Sequence, residues 1–398
     1  MTYLKPLLTT SLAASLLWVP GAPTHAGPAS RCHGHLATIV GTAGDDHLVG
    51  TDGPDVIVGL AGADRIDGRG GADVICGGAN QGRGATQLDG DDIDGGPGSD
   101  YIDPGQDRRP VGAEGYGDIL RYSRASAGVR VDLSRRIGTV VDGADTDRIR
   151  VAEGLWVLGS QYDDVIIGSR FDDDLEGNKG ADVLQGGRGD DGLDEYTGLL
   201  SRDDRDADQK SGGPGDDGIQ ANGGQDVLSG DAGDDDLYEQ DYGLAAAMSG
   251  GTGDDHLLGW YDGDVARTLD GGEGVDLLYV DNIDPYDPEG VQLVVDAATG
   301  QVRSSVATQA VLTATGVERW RLTPEQHVVF LGSAGPDWVD ARIVDGLTAQ
   351  TFAGDDVIRG SDGRDTIDAG DGTDQIDGRL GRDSCVGGEH VRRCEFAP

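Results

Sequence analysis

The sequence is poor in aromatic residues, in basic residues and in long apolar runs. Aromatic side chains make up 5% of the 398 residues, and 31 Lys and Arg stand against 73 Asp and Glu, so the formal net charge is −42. So few aromatic residues argue against one conventional globular core. The acidic excess would repel phosphate groups, which excludes nucleic acid as the expected partner. After the first 26 residues no apolar run approaches about 18 residues, so no segment is expected to span a membrane.

Motifs of the common enzyme classes are missing as well. The sequence contains no H-E-x-x-H, G-x-S-x-G or C-x-x-C, and its seven histidines form no cluster beyond His33 and His35. We therefore predict that the protein is not an enzyme. The alternative is an extracellular hydrolase whose active site is built from loop carboxylates on the scaffold, for example in a groove lined by Trp260, Tyr261 and Asp264.

What the sequence does contain is a nine-residue repeat. Each unit has glycine at the first and fourth places, aspartate at the sixth and an aliphatic residue at the eighth. Glycines at fixed offsets permit sharp turns, so the first six residues predict a turn and the last three a short strand whose eighth residue points inward. Runs of units occupy residues 41–76, 95–103, 159–194, 212–238 and 351–386, with single copies at 250–258, 271–279 and 332–340.

The sixth-place aspartates indicate what stabilises the turns. One buried aliphatic side chain for every nine ordered residues makes a thin core, so the turns need a further source of stability. Stacked turns would bring carboxylates together, where a hard divalent cation converts repulsion into ligation, and an oxygen-only ligand set favours Ca²⁺ over Mg²⁺ or Zn²⁺. We predict several bound Ca²⁺ ions, with the ligands Asp46, Asp55, Asp64, Asp73, Asp100, Asp164, Asp173, Asp182, Asp191, Asp217, Asp226, Asp235, Asp255, Asp276, Asp356, Asp365, Asp374 and Asp383.

The repeat G-G-x-G-x-D-x-U-x resembles the nonapeptide of the RTX, or haemolysin-type calcium-binding, family. The resemblance implies an all-β fold, a right-handed parallel β-roll (β-solenoid) in several arrays with β-rich connectors. Two nonapeptides would form one coil, and each Ca²⁺ would lie between turns of successive coils on the same side. The resemblance implies shared ions for Asp46 with Asp64, Asp55 with Asp73, Asp164 with Asp182, Asp173 with Asp191, Asp217 with Asp235, Asp356 with Asp374, and Asp365 with Asp383.

Four units depart from the repeat at a glycine. Tyr162 and Phe171 replace the fourth-place glycine, and Ala221 and Ala369 replace the first. These substitutions are expected to weaken the sites concerned.

Two connectors lie between the runs of repeats and resemble each other. Both contain alternating apolar residues, which predicts extra β-structure against the roll. The predicted organisation is a signal peptide at 1–26, an N-terminal array at 27–103, a β connector at 104–158, a central array with loop insertions at 159–279, a second β connector at 280–331, and a C-terminal array with a disulfide cap at 332–398.

The N-terminus and the cysteines both indicate an extracellular protein. Residues 1–26 combine Lys5, an apolar run and a small-residue end, which is typical of a secretory signal cut after Ala26. Four cysteines fit an oxidising compartment. Of the three pairings, proximity favours Cys385 with Cys394, which leaves Cys32 with Cys76; free thiols are the alternative.

These patterns together predict a secreted, calcium-binding module that folds on Ca²⁺ and has a structural or interaction role. An extracellular protein or glycan partner is left open. The aromatic residues of the polar insertions, Tyr196, Tyr242, Trp260 and Tyr261, are the expected contacts.

Overall fold

The computed structural model describes residues 30–80, 90–106, 117–142, 144–193, 206–221, 224–239, 247–261, 266–282, 292–305, 312–323 and 326–395. These residues form 38 strands. The described chain contains no helix that is long and apolar enough to cross a membrane. The predicted signal peptide lies outside the described residues.

The strands, in chain order, are β1 Arg31–Cys32, β2 His35–Leu36, β3 Ile39–Val40, β4 His47–Val49, β5 Val56–Leu60, β6 Arg65–Asp67, β7 Val74–Gly78, β8 Asp92–Asp94, β9 Tyr101–Gly105, β10 Ile119–Arg121, β11 Val129–Asp132, β12 Ile137–Asp142, β13 Asp145–Arg150, β14 Trp156–Leu158, β15 Val165–Ile167, β16 Asp174–Glu176, β17 Val183–Gln185, β18 Gly192–Leu193, β19 Gln209–Pro214, β20 Gly218–Ala221, β21 Val227–Ala232, β22 Asp236–Glu239, β23 Ala247–Thr252, β24 His256–Tyr261, β25 Arg267–Glu273, β26 Leu277–Asn282, β27 Leu293–Asp296, β28 Gln301–Ser304, β29 Leu312–Thr315, β30 Arg319–Leu322, β31 His327–Leu331, β32 Trp338–Asp340, β33 Gly346–Gln350, β34 Val357–Arg359, β35 Thr366–Asp368, β36 Gln375–Asp377, β37 Ser384–Val386 and β38 His390–Arg392.

Successive nonapeptides alternate between two sheets. Sheet I has 20 described strands and begins at β3, and sheet II has 16 and begins at β4; β1 and β2 form a separate hairpin. Ile57 of β5 pairs in parallel with Ile75 of β7 in sheet I, and Leu48 of β4 pairs with Ile66 of β6 in sheet II. Each partner lies two nonapeptides along the chain, so two units make one coil. The predicted all-β parallel β-roll is confirmed.

The two connectors have the same topology. In the first, β9 pairs in parallel with β13, the strands β13, β12 and β11 form an antiparallel meander, and β11 pairs in parallel with β15. In the second, β29, β28 and β27 repeat this meander between β25 and β31. Sheet II continues past both meanders through β10 and β30. Strand pairing therefore runs without interruption through both connectors.

The core is a ladder of eighth-place side chains that point inward from both sheets. Ile57, Ile166 and Leu257 show the pattern, each with no exposed surface. The second connector adds bulk, because the rings of Trp320 and Phe330 meet inside the roll with centroids 6.1 Å apart.

One inward place departs from the aliphatic ladder. Lys210 of β19 pairs with Leu184 and Leu228 in sheet I and is 2% exposed. Its ammonium group donates a 2.6 Å hydrogen bond to the carbonyl of Gln220. The thin core thus admits a buried cation where the chain supplies an acceptor for it.

Disulfide bonds join Cys32 to Cys76 and Cys385 to Cys394, which confirms the pairing expected from proximity. The first bond ties the N-terminal hairpin to β7. The second ties the inward eighth place of β37 to the chain that follows β38.

Candidate metal centre

Sixth-place carboxylates form one column along each edge of the roll. Column I consists of the turns that lead into sheet I, and column II of the turns that lead into sheet II. The N–H of Asp46 donates to Oδ1 of Asp64, one coil further on, at 2.9 Å. All seven pairs expected to share an ion are joined in this way, with N···O distances of 2.7 to 3.0 Å.

Both columns contain acidic residues beyond the 18 predicted ligands. Asp91 accepts from the N–H of Asp64 at 2.8 Å, and counting nine residues at a time from Gly77 would have located it at a sixth place. Asp337 lies in the copy at 332–340, and its N–H donates to Asp356. The other members have no intact repeat around them in the sequence, so periodicity gave no signal for them. The additional members are Asp91, Asp118, Asp147, Asp208, Glu318, Asp337 and Glu389.

The second carboxylate oxygen, Oδ2, separates most members of the columns into two classes. In the first class, which we term capped, the N–H of a second-place Ser or Thr donates to Oδ2 within the same turn. Ser361, for example, donates its N–H to Oδ2 of Asp365 at 2.8 Å and its hydroxyl to Oδ1 at 2.6 Å. The capped residues are Asp46, Asp55, Asp164, Asp173, Asp337 and Asp365.

In the second class, which we term open, Oδ2 is buried and receives no hydrogen bond from the described residues. A buried carboxylate oxygen without a donor is rare in folded proteins and calls for a positive partner. Twelve such oxygens occur, each on the sixth-place residue of its own turn. The open oxygen is therefore a regular feature of the stacked turns. The open residues are Asp64, Asp73, Asp100, Asp182, Asp191, Asp208, Asp217, Asp235, Asp255, Asp276, Asp356 and Asp374.

First-place glycines leave room beside the open oxygens. A Cβ at Gly230 would lie 2.1 Å from Oδ2 of Asp235 and 2.5 Å from the carbonyl oxygen of Gly250, one coil on. The same distances recur at Gly250. Among the described residues no three His, Cys, Asp or Glu side chains lie close enough together to hold a metal ion by themselves. The ligands that each turn offers are therefore carboxylate oxygens together with main-chain carbonyl oxygens. Such a set fits a hard cation with oxygen ligands.

Burial and hydrogen bonding set the protonation of the two classes. Burial raises the pKa of Asp191 to about 8; the N–H of Asp173 opposes this rise, and the Asp173 carboxylate adds to it. Burial also raises the pKa of the capped Asp55, but the hydrogen bonds from Thr51 and Thr38 outweigh it, so the net pKa is lowered. The open Asp191 therefore needs a nearby cation to stay fully ionised near neutral pH.

The family model described as RTX calcium-binding nonapeptide repeat matches the chain in four copies, at residues 49–81, 158–193, 211–238 and 350–385. The chain carries RTX calcium-binding repeats. No curated protein matches the chain at a significant level. The RTX match and the open carboxylates together make this a calcium-binding repeat protein.

The departures at the fourth place of the RTX unit have a steric explanation. A Cβ at Gly180 would lie 2.5 Å from the carbonyl carbon of Tyr162, one coil earlier, and Gly189 is equally close to Phe171. A Cβ at Gly44, in the first turn of its column, would meet nothing within 4 Å. Glycine is thus required where an earlier RTX turn lies underneath, and a first turn can carry a side chain. This explains the aromatic residues at 162 and 171.

Column I is interrupted in the second half of the RTX roll. Arg267 takes the sixth place of its turn, and its Nε donates to Oε2 of Glu239 at 2.8 Å. The two side chains are 0% and 3% exposed. Leu312 and Leu347 take the sixth place in later turns. Here a guanidinium supplies the positive charge inside the edge of the roll.

Open and capped carboxylates should differ in calcium binding. We expect Asp235→Asn to lower the calcium affinity of its turn by about tenfold or more, because no described residue donates a hydrogen bond to the open oxygen. Asp365→Asn, in a capped turn, should change calcium binding less. Calorimetric calcium titration of the two variants tests this, and equal losses would contradict the division into classes.

Metal-free protein should lose stability as the pH rises. The folded pKa of Asp100, Asp182 and Asp191 is about 8, above the ordinary 3.8. The folded state therefore holds protons that the unfolded state releases, so this contribution is complete below about pH 4 and is lost as the pH passes about 8. The folded fraction of metal-stripped protein, followed by far-UV circular dichroism from about pH 4 to about pH 8, should fall as the pH rises, and saturating Ca²⁺ should flatten the curve. A folded fraction that rises with pH would refute the assignment.

The buried pair in column I should matter for stability in the presence of calcium. Arg267→Gln removes the guanidinium from the buried Glu239 carboxylate and should lower the free energy of unfolding by about 3–5 kcal/mol. Arg121→Gln, which breaks a partly exposed pair with Asp92, should cost about 0–1 kcal/mol. Chemical unfolding in saturating Ca²⁺ measures both, and similar losses would argue against a structural role for Arg267.

Proposed function

We propose that this protein is a secreted, non-enzymatic module whose β-roll folds when Ca²⁺ fills the open turns. The twelve buried carboxylate oxygens without donors are the observation that supports the proposal. Without a cation they must be protonated or the fold must bear unpaired buried charge.

The open aspartates and the first-place carbonyl oxygens beside them would hold the ions. When bound, Ca²⁺ supplies positive charge and links oxygens of successive coils. The chain's own part is to keep Oδ1 engaged with the N–H of the preceding coil, as Asp217 does for Asp235 at 2.8 Å. This hydrogen bond aims Oδ2 towards the gap at the first-place glycine. Several ions per molecule would follow from the number of open turns.

An extracellular location fits this chemistry. Extracellular calcium modules function with dissociation constants of about 10⁻⁴–10⁻³ M because the medium supplies the ion. The disulfides at the two ends of the array form in oxidising compartments. With the signal-like residues 1–26, they support export before folding.

The described residues form a β-roll. The role that we propose for it is structural, or the recognition of another molecule. The expected contact residues Tyr196 and Tyr242 lie outside the described residues, as does Asp264 of the alternative hydrolase site. The non-enzymatic role thus stays a prediction from the missing catalytic motifs.

Calcium should control folding of the full chain. In chelator at neutral pH, far-UV circular dichroism should show a largely unfolded chain, and millimolar Ca²⁺ should restore the β-signal, because the core alone is too thin. Mg²⁺ at equal concentration serves as the control and should restore much less. A cooperative thermal transition in chelator at neutral pH would overturn the proposal.

A further inference from the structure

The outer face of sheet II carries a row of arginines towards the C-terminus. Ninth-place residues of neighbouring strands stand side by side in register on this face. We call the row, from β26 to β38, the arginine row; its members are Tyr279, Arg321, Asp340, Arg359, Asp377 and Arg392.

Three guanidinium groups surround a single carboxylate in this row. Asp340 is 1% exposed, and its Oδ2 lies 2.7 Å from Arg342. The same oxygen lies 3.8 Å from both Arg321 and Arg359. Three positive groups around one negative group leave a formal excess of two positive charges, on a chain whose net charge is −42.

The three arginines remain accessible. Their side chains are 28%, 47% and 46% exposed for Arg321, Arg342 and Arg359, while the carboxylate beneath them is buried. Nε of Arg321 is itself buried and has no hydrogen-bond acceptor among the described residues. The site therefore presents guanidinium groups, and not the carboxylate, to solvent.

Aromatic rings hold two of these guanidinium groups in place. Arg321 lies over the ring of Tyr279 at 4.7 Å and donates to its hydroxyl at 2.6 Å. Arg359 lies over the ring of Trp338 at 5.4 Å. Stacking restricts the side chains before a ligand arrives, so less entropy is lost on binding.

The row continues along a shallow groove. Across β34, β36 and β38 a groove of about 690 Å³ is lined at the seventh and ninth places by Val357, Gln375, His390, Arg359, Asp377 and Arg392, and also by Ile358, Ile376, Val391 and Glu389. Arg393 forms an ion pair with Asp377. Arg392, on the edge strand, is exposed.

The spacing of the arginines suits an extended, sparsely charged chain. Neighbouring strands lie about 4.8 Å apart, so Arg321, Arg359 and Arg392, on every second strand, recur about every 9.5 Å. Nucleic acid has a phosphate about every 3.4 Å along each strand and would meet the intervening Asp340 and Asp377. A tightly bound peptide usually buries an apolar anchor residue in its partner. The groove residues are mainly polar or charged, so they do not favour a peptide.

We propose that the arginine row and its groove bind an extended acidic polysaccharide, with carboxylate or sulfate groups on Arg321, Arg342, Arg359 and Arg392. This inference names a partner for the interaction role proposed above and rests on it. The binding arginines lie on the face of sheet II, and Glu389 of column II is the turn carboxylate that lines the groove.

The test uses the full chain in saturating Ca²⁺, with hyaluronan, heparin, neutral dextran and single-stranded DNA as probes on a biosensor surface. We expect saturable binding of hyaluronan or heparin and none of dextran. The variant with Arg321→Gln and Arg359→Gln should bind about tenfold or more weakly, because two charge-assisted contacts are lost. Arg121→Gln is the matched control, since Arg121 is a ninth-place arginine of sheet II paired with one carboxylate, and it should bind like the wild type.

Circular dichroism and thermal unfolding in Ca²⁺ separate loss of the site from loss of the fold. If the double variant is unfolded, the exposed Arg392→Gln is measured instead and should weaken binding severalfold. Absence of binding to both acidic polysaccharides, an unchanged affinity in a folded variant, or equal binding of DNA at the same residues would overturn the inference. Failure of Ca²⁺ to induce folding would overturn the proposed function. Circular dichroism detects that failure independently of polysaccharide binding.

Discussion

Stacked turns place carboxylates one coil apart inside both edges of this roll, and every other feature of the structure accommodates that charge. Most sixth-place aspartates use Oδ1 to join coils, as in the bond from Asp191 N–H to Asp217 at 2.7 Å. The remaining oxygen then faces the interior. Because buried like charges raise one another's pKa, the edge can be stable only if each second oxygen finds a donor or a cation.

The chain meets this requirement in three ways. A Ser or Thr at the second place caps the carboxylate with an N–H, as Thr51 does for Asp55. An open turn leaves the oxygen beside a glycine and a carbonyl, where calcium fits. Where column I lacks an aspartate, Arg267 brings its own positive charge to Glu239. The three solutions share one geometry, so they can follow one another along the same edge.

The two edges differ because the connectors are inserted on one side only. Each meander adds its strands to sheet I, whereas sheet II passes both connectors with one strand apiece. Column II therefore keeps acidic residues through Asp276, Glu318 and Asp374. In its second half column I instead has Leu312 and Leu347 at the sixth place. Calcium would thus act on both edges through the N-terminal and central arrays and mainly on column II after Asp226.

Much of the fold could be read from the period of the repeat. Glycine, aspartate and an aliphatic residue at fixed offsets predict a turn, a carboxylate and an inward side chain, whereas the coil of two units was implied by the resemblance to the RTX family. The same period explains why the predicted pairs, such as Asp46 with Asp64, are neighbours. The period of the repeat did not predict Lys210 in the core or Glu318 in column II, because neither residue lies in an intact repeat.

By itself, then, the sequence determined the β-roll, the acidic columns and the disulfide ends, since these depend on residues close together or regularly spaced. Only the tertiary structure decided which carboxylates are open, where Arg267 takes a sixth place, and that Arg321, Arg342 and Arg359 meet at Asp340. The physical reason is that burial, hydrogen-bond partners and cross-strand neighbours depend on how far each loop carries the chain before it rejoins the sheet. Loop length has no period, so the register of distant strands is set only when the coils pack.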